Sequence, residues 1–171
     1  MSFAIWVTGL PGSGKSTIAK ILAKKINAKI LQLDKFRKEI VPSPKYDEQE
    51  RVLVYTKLAE KAAEIFQKHN IIIDATDNLQ IGRKKAKELI KNFFVVQINC
   101  PINICEERES KRINEPGIHD LYFRAKKGEI TLPGINAPYL KEKNPLITLD
   151  SNKLSAKQSA TEIIKKIKKI L

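Results

Sequence analysis

A chain of 171 residues can bury one sizeable core and a small lid, and its two cysteines, Cys100 and Cys105, exclude a disulfide framework or a four-ligand metal site. No apolar stretch approaches the ~20 residues that cross a bilayer and no signal-peptide layout is visible, so a soluble, cytoplasmic protein is expected. The net charge of +13 fits either a nucleic-acid footprint or a lysine-rich helix surface with some excess facing anionic small molecules. No stripe of interleaved aromatic and basic residues accompanies that charge, which favours the second reading and argues against a stable nucleic-acid partner.

In chain order, the apolar run Phe3-Ala4-Ile5-Trp6-Val7 predicts a buried strand. Next comes Gly9-Leu10-Pro11-Gly12-Ser13-Gly14-Lys15-Ser16, then a helical stretch from Thr17 to Ile26. This is G-x-x-x-x-G-K-[ST] in the strand, loop, helix setting that gives the motif its meaning. The glycines let successive main-chain N–H groups curl into a ring, and the helix directs its positive end to the same spot, so a polyphosphate is cradled. Residues Gly9 to Thr17 are therefore the candidate ATP-binding set. Lys15 reaches the β/γ-phosphates and the Ser16 hydroxyl ligates Mg²⁺.

Lys29 to Leu33 predicts a short second strand ending on Asp34, followed by Lys35-Phe36-Arg37 and a loop at Pro42-Ser43-Pro44. A long amphipathic helix is expected from Asp47 to Lys68, broken at Asn70. Ile71-Ile72-Ile73 reads as a third strand closing on Asp74-Ala75-Thr76-Asp77-Asn78, and a helix over Leu79 to Lys91 carries Arg83. A fourth strand, Phe93 to Ile98, leads to Asn99-Cys100-Pro101. Leu146 to Leu149 forms the fifth, ending at Asp150, and Ser155 to Leu171 is the closing helix. Short apolar strands alternating with helices predict an α/β fold, a single domain over 1–171 with a parallel sheet covered on both faces. The expected strand order is 2-3-1-4-5, which sets the phosphate loop, Asp34, Asp74 and Asn99 along one sheet edge.

Phosphoryl transfer needs the donor phosphates held, Mg²⁺ placed, positive charge around the moving group and a carboxylate for the accepting hydroxyl. Asp34 is the candidate for that carboxylate, with Arg37 one helical turn away, although an Asp before a helix also serves as an N-cap. Asp74 reads either as an acid assisting Mg²⁺ or its waters, a role also open to Asp34, or as a loop acid satisfied by nearby N–H groups. Asp77-Asn78 reads as a helix cap or an acceptor contact. Arg108 and Arg112 lie one turn apart, ahead of a Pro- and Gly-containing connection from Asn114 to His119. They read as ATP contacts at the start of a lid spanning about 108–128, or as a solvated basic helix end. His69 and His119 lack metal-ligand spacing.

From Leu121 the chain reads Leu-Tyr-Phe-Arg-Ala-Lys-Lys-Gly-Glu-Ile, then Pro133-Gly134-Ile135-Asn136-Ala137-Pro138-Tyr139 and Asn144-Pro145. Together with Trp6-Val7-Thr8-Gly9-Leu10 before the phosphate loop, this resembles the adenylylsulfate (APS) kinases over nearly the whole chain. The resemblance implies a P-loop kinase fold, ATP and Mg²⁺ as cofactors, and phosphorylation of the ribose 3′-hydroxyl of a small nucleotide conjugate. It also implies a homodimer. Asp34 and Arg37 match the last Asp and the Arg of that family's Leu-Asp-Gly-Asp-x-x-Arg block, Arg83 an Arg after strand three, and Arg108 the Arg that begins the lid. Arg51, Tyr55, Asp74, Thr76, Asp77 and Arg124 complete the candidate acceptor contacts, with Lys15 and Asp34 as catalytic residues.

The chain departs from that pattern on the acceptor side. Gln32 and Leu33 replace an Asp and a Gly, Asp77 replaces a Ser, Val52-Leu53-Val54-Tyr55 replaces an Arg- and Asn-containing stretch, and His119-Asp120 replaces Lys-Gly. These departures favour a less anionic acceptor, with cytidine diphosphoramidate, as in capsule phosphoramidate synthesis, ahead of adenylylsulfate. Asp-Ala-Thr-Asp-Asn also resembles polynucleotide 5′-kinases, and a nucleotide-binding regulator without turnover is the non-enzymatic alternative.

Overall fold

The computed structural model describes residues 2–112 and 120–170. Five parallel strands, β1 (Ala4–Thr8), β2 (Lys29–Gln32), β3 (Ile71–Asp74), β4 (Phe93–Asn99) and β5 (Ile147–Asp150), form one sheet in the order β2-β3-β1-β4-β5. The expected α/β P-loop kinase architecture and strand order are both present. Between the strands run α1 (Lys15–Lys25), α2 (Leu33–Ile40), α3 (Glu48–Phe66), α4 (Ile81–Leu89), α5 (Ile102–Ser110) and α6 (Leu121–Lys126), and α7 (Ala156–Ile167) closes the fold.

Side chains on a strand alternate between faces, and this sheet buries both. Ile5, Val7, Ile72, Val96, Ile98 and Leu149 pack with Ile18, Leu22, Ala160 and Ile163 of α1 and α7. Ala4, Trp6, Ile71, Ile73 and Val95 pack on the other side with Tyr55, Leu58, Ala59, Ala62 and Ala86 of α3 and α4. Trp6 is fully buried, gives its indole N–H to the Ala75 carbonyl at 2.9 Å, and meets Phe93 edge-on at 6.3 Å between centroids. Gly82 lets α4 come this close, since a Cβ there would lie 2.4 Å from the Trp6 ring.

Several boundaries differ from the sequence expectation, each for a local reason. Asp34 does not end β2; the strand stops at Gln32, and Asp34 sits in the first turn of α2, where an acid suits the positive helix end. Helix α4 begins at Ile81 rather than Leu79, because the Asp77 carboxylate takes the Gly82 and Arg83 N–H groups and Gln80 adopts a left-handed φ of 64°. Helix α7 starts after Ser155, which forms a reciprocal capping box with Gln158, and ends at Ile167 rather than Leu171.

Residues 133–142 fasten across the carboxyl edge of the sheet. Tyr139 Oη accepts from Gln97 Nε2 at 2.8 Å and lies 3.2 Å from Thr8 Oγ1, Asn78 Nδ2 donates to the Pro138 carbonyl, and Arg83 Nη2 donates to that of Leu140. Asn136 folds the preceding turn by accepting from Leu132 N–H and donating to the Ala125 and Ile130 carbonyls. The distinctive Gly134-to-Tyr139 segment is thus a strap over β3, β1 and β4.

Candidate active site

The phosphate loop has the backbone its sequence calls for. Gly12 and Gly14 adopt left-handed φ values of 78° and 86°, and Ser13 N–H turns back to the Leu10 carbonyl at 3.0 Å. A Cβ at Gly12 would lie 2.2 Å from the Cys105 carbonyl oxygen. Helix α1 opens at Gly14 with no side chain capping its first N–H groups, leaving them for a ligand. Outside contacts fix the loop: Tyr122 Oη donates to the Pro11 carbonyl at 2.7 Å, and Gly134 packs on the Leu10 side chain. Burial pushes the Tyr122 phenol well above its ordinary value and the neighbouring Cys105 thiol up to about 12, so both stay protonated there.

Lys15 and Ser16 open into a cavity of about 160 Å³, which Asp34, Arg37, Arg51, Tyr55, Thr76 and Arg112 also line. With Pro11, which lines it too, nine residues named from the sequence as phosphate, acceptor or catalytic contacts therefore share one space. Its basic wall comes from α2 and α3. Arg37 is buried and paired with Glu50, and Arg51 donates from Nη2 to the Thr131 carbonyl at 2.7 Å. Burial draws the Arg51 guanidinium below its usual range while the adjacent Tyr55 raises it, and it remains a cation. Tyr55 itself is almost wholly buried, which raises its phenol well above normal.

Sequence reasoning missed several lining residues. Lys38 and Tyr46 belong to no motif, and Tyr46 lines the cavity from the turn before α3, where its own backbone is left-handed at a φ of 60°. Glu109 lines it too, paired with Arg112 at 3.0 Å, as do Thr131, Leu132 and Pro133. An acid next to two spaced arginines was the available signal for Glu109.

Other named residues lie elsewhere. Asp77 and Arg83 are buried behind the cavity wall and hold each other: Arg83 Nε lies 3.3 Å from Asp77 Oδ2, and its Nη2 donates to the Asp77 carbonyl at 2.9 Å. Arg83 also lies 3.5 Å from Glu142 Oε2. Neither Asp77 nor Arg83 lines the cavity: Asp77 takes the helix-cap reading that the sequence offered beside the acceptor contact, and Arg83 pairs with it. Desolvation raises the Asp77 carboxyl above its ordinary value, the Arg83 side chain and the two capping amides offsetting part of that rise. Arg124 pairs with Glu129 on the surface at 3.1 Å and does not line the cavity. Asp74 ends β3 on the side of the sheet shared by Ile72 and α1; its Oδ2 accepts from Gln32 at 3.3 Å, and its buried Oδ1 has no protein partner.

Arg108 is fixed in α5 rather than free at a hinge. Its guanidinium donates to Ser151 Oγ at 3.1 Å and the Ser151 carbonyl at 2.9 Å, with Nη1 3.6 Å from Cys100 Sγ. A Cβ built on Gly14 would lie 3.8 Å from that Nη1, so the charge stands beside the phosphate loop. The lid connection from Asn114 to His119, and His119 with it, falls outside the described residues. Cys100 and Cys105 are free thiols, and His69 is exposed. Among the described residues no cluster of three or more His, Cys, Asp or Glu side chains forms a metal cage, and no helix is long and apolar enough to cross a membrane.

These features have counterparts in known proteins. Residues 1–150 match the family described as adenylylsulphate kinase. An adenylyl-sulfate kinase from Bacteroides thetaiotaomicron is 33% identical over 176 residues, covering 97% of this chain and 83% of that protein. One from Bacillus pumilus is 30% identical over 173 residues, covering 96% and 84%. An APS kinase from Mycobacterium tuberculosis, solved with AMPPNP and APS, superposes with a TM-score of 0.84 at 28% identity, covering 98% of both chains. A shikimate kinase from Acinetobacter baumannii, at 16% identity and a TM-score of 0.64, shares the fold alone. With the phosphate loop, the facing Asp34 and the basic wall in one cavity, this chain belongs to the adenylylsulphate kinase family, the ATP-using phosphotransferases that phosphorylate an alcohol group.

Proposed function

We propose that this chain transfers the γ-phosphate of ATP to the ribose 3′-hydroxyl of adenylylsulfate. The observation that carries the reading is that Lys15, Ser16 and Asp34 line one cavity whose wall also holds Arg37, Lys38 and Arg51. The relatives named adenylyl-sulfate kinase support this acceptor over cytidine diphosphoramidate. The second reading still draws on Val52-Leu53-Val54-Tyr55, where the family's acceptor-side residues are replaced. It loses Asp77, whose carboxylate is occupied by Arg83 and two amides.

In this scheme the N–H groups around Gly12 to Ser16 hold the donor phosphates, and Arg108 stands beside them with its charge. Asp34 orients the acceptor hydroxyl and takes its proton as the oxygen attacks phosphorus. Lys15 meets the negative charge on the moving phosphoryl group, in a site where preorganised charge acts more strongly than in water. Arg37 and Arg51 offer forked donors to the acceptor's anionic end. The residues fit Mg²⁺: Ser16 offers a hydroxyl, and the unpartnered Oδ1 of Asp74 suits a contact through water. Held there, Mg²⁺ would supply positive charge against the donor phosphates.

The test is a coupled ADP-release assay with ATP and three acceptors: adenylylsulfate, cytidine diphosphoramidate and a 5′-hydroxyl oligonucleotide. Adenylylsulfate is expected to give the highest kcat/KM. A tenfold preference for the cytidine compound would move the assignment to that acceptor, and ATP binding with no acceptor-dependent turnover would leave a nucleotide-binding regulator.

A further inference from the structure

The basic wall depends on a residue that does not line the cavity. Glu50, in the first turn of α3, is buried, and both of its carboxylate oxygens are committed. Oε1 takes Arg37 Nη1 in an ion pair, while Oε2 accepts from the main-chain N–H groups of Lys45 at 2.5 Å and Tyr46 at 3.1 Å. Tyr46 lies in left-handed backbone, at φ 60°, which a tyrosine adopts only when its surroundings hold it there. The Arg37 guanidinium carbon stands 5.0 Å from the centre of the Tyr46 ring, within cation–π range. Arg37 and Tyr46 both line the cavity.

We infer that Glu50 is a positioning residue for the acceptor, one carboxylate that aims Arg37 and holds the strained Tyr46 turn in the places from which both face the cavity. The inference rests on the kinase reading above and deepens its acceptor side. A glutamine cannot do the same work: it has one acceptor oxygen for two sets of donors, and its amide N–H₂ must face either the guanidinium or the two main-chain N–H groups. Removing the carboxylate therefore frees Arg37 or the turn, and the interaction lost is one made equally with the bound acceptor and the transition state. Such a loss raises KM and spares kcat. The donor loop is held by Tyr122 and Gly134 instead, so ATP binding should not follow.

The experiment compares wild type, Glu50→Gln, Glu50→Asp and, as a control for a lost surface carboxylate, Glu60→Gln, which breaks only an exposed pair with Lys57. For Glu50→Gln the expected result is an acceptor KM raised about tenfold, with the ATP KM and kcat within about threefold of wild type. Glu50→Asp, which keeps the charge on a shorter stem, should recover part of the loss. Hydrogen exchange at the Lys45 and Tyr46 amides should quicken in Glu50→Gln while the amides of β1 and β3 keep their protection, which separates a freed turn from a failing fold. An unmoved acceptor KM, whatever the exchange at those amides, or equal losses for ATP and acceptor would overturn the inference alone; a raised acceptor KM with unmoved exchange would place the loss at Arg37 and support it. A wild-type enzyme that turns over no acceptor overturns the kinase reading, and this inference with it.

Discussion

The two halves of the cavity are built by different means. The half proposed for the donor is main chain: a ring of N–H groups whose curvature depends on Gly12 and Gly14, backed by the Cys105 carbonyl and tied down at Pro11 by Tyr122. The half proposed for the acceptor is side chain: Arg37, Arg51, Tyr46 and Tyr55 come from a helix, a turn and a second helix, and hold their places by ion pairing, a carbonyl contact and burial. A main-chain cradle recognises phosphate whatever side chains its variable positions carry, and it fails when a Cβ intrudes. A side-chain wall can be rebuilt residue by residue without disturbing the cradle. One fold can therefore keep its donor while its acceptor drifts.

Substitutions in each half should separate accordingly. The largest effects belong to the cradle. Lys15→Ala is expected to lower kcat about 10³-fold, and Gly12→Ala to weaken ATP binding about 10²-fold in calorimetry, since its new methyl meets the Cys105 carbonyl in left-handed backbone. ATP affinity in Gly12→Ala within threefold of wild type would erase the proposed distinction. Next comes Asp34→Asn, which should cost about 10²-fold in kcat while ATP affinity and Tm hold; near-normal turnover would remove Asp34 from the chemistry.

The smallest effect lies outside the cavity, at Asp77. Burial raises its folded carboxyl value above 3.8, so below that value both folded and unfolded chains hold the proton. As pH rises, the unfolded chain releases it first, and stability falls until the folded value is passed. Wild type should therefore lose Tm relative to Asp77→Asn as pH is raised from 3.8, even though the variant surrenders the charge facing Arg83. A Tm difference that is flat with pH would mean that Arg83 fully compensates the buried charge.

The donor half was legible because its information is local: eight consecutive residues between an apolar strand and a helix specify the loop. The parallel sheet was legible for a similar reason, each strand being a short apolar run closed by a polar residue. The acceptor half was read only in part. Asp34 and Arg37 follow from one strand's end, but nothing local says that Thr131, some 80 positions beyond Arg51, supplies its carbonyl partner, or that Tyr46 turns inward on unusual backbone. For Asp77 the sequence leaves a helix cap and an acceptor contact both open, because a loop acid ahead of a helix serves either; in the structure it caps α4 and pairs with an arginine six residues on.

The ties that hold Leu10 and Pro11 have a consequence for synthesis. Tyr122 and Gly134 lie more than 100 residues downstream of the loop they brace, so a ribosome must deliver most of the chain before the nucleotide cradle acquires its finished form. By mass action, a nucleotide that binds the finished cradle stabilises the form in which the chain's first and last thirds have met.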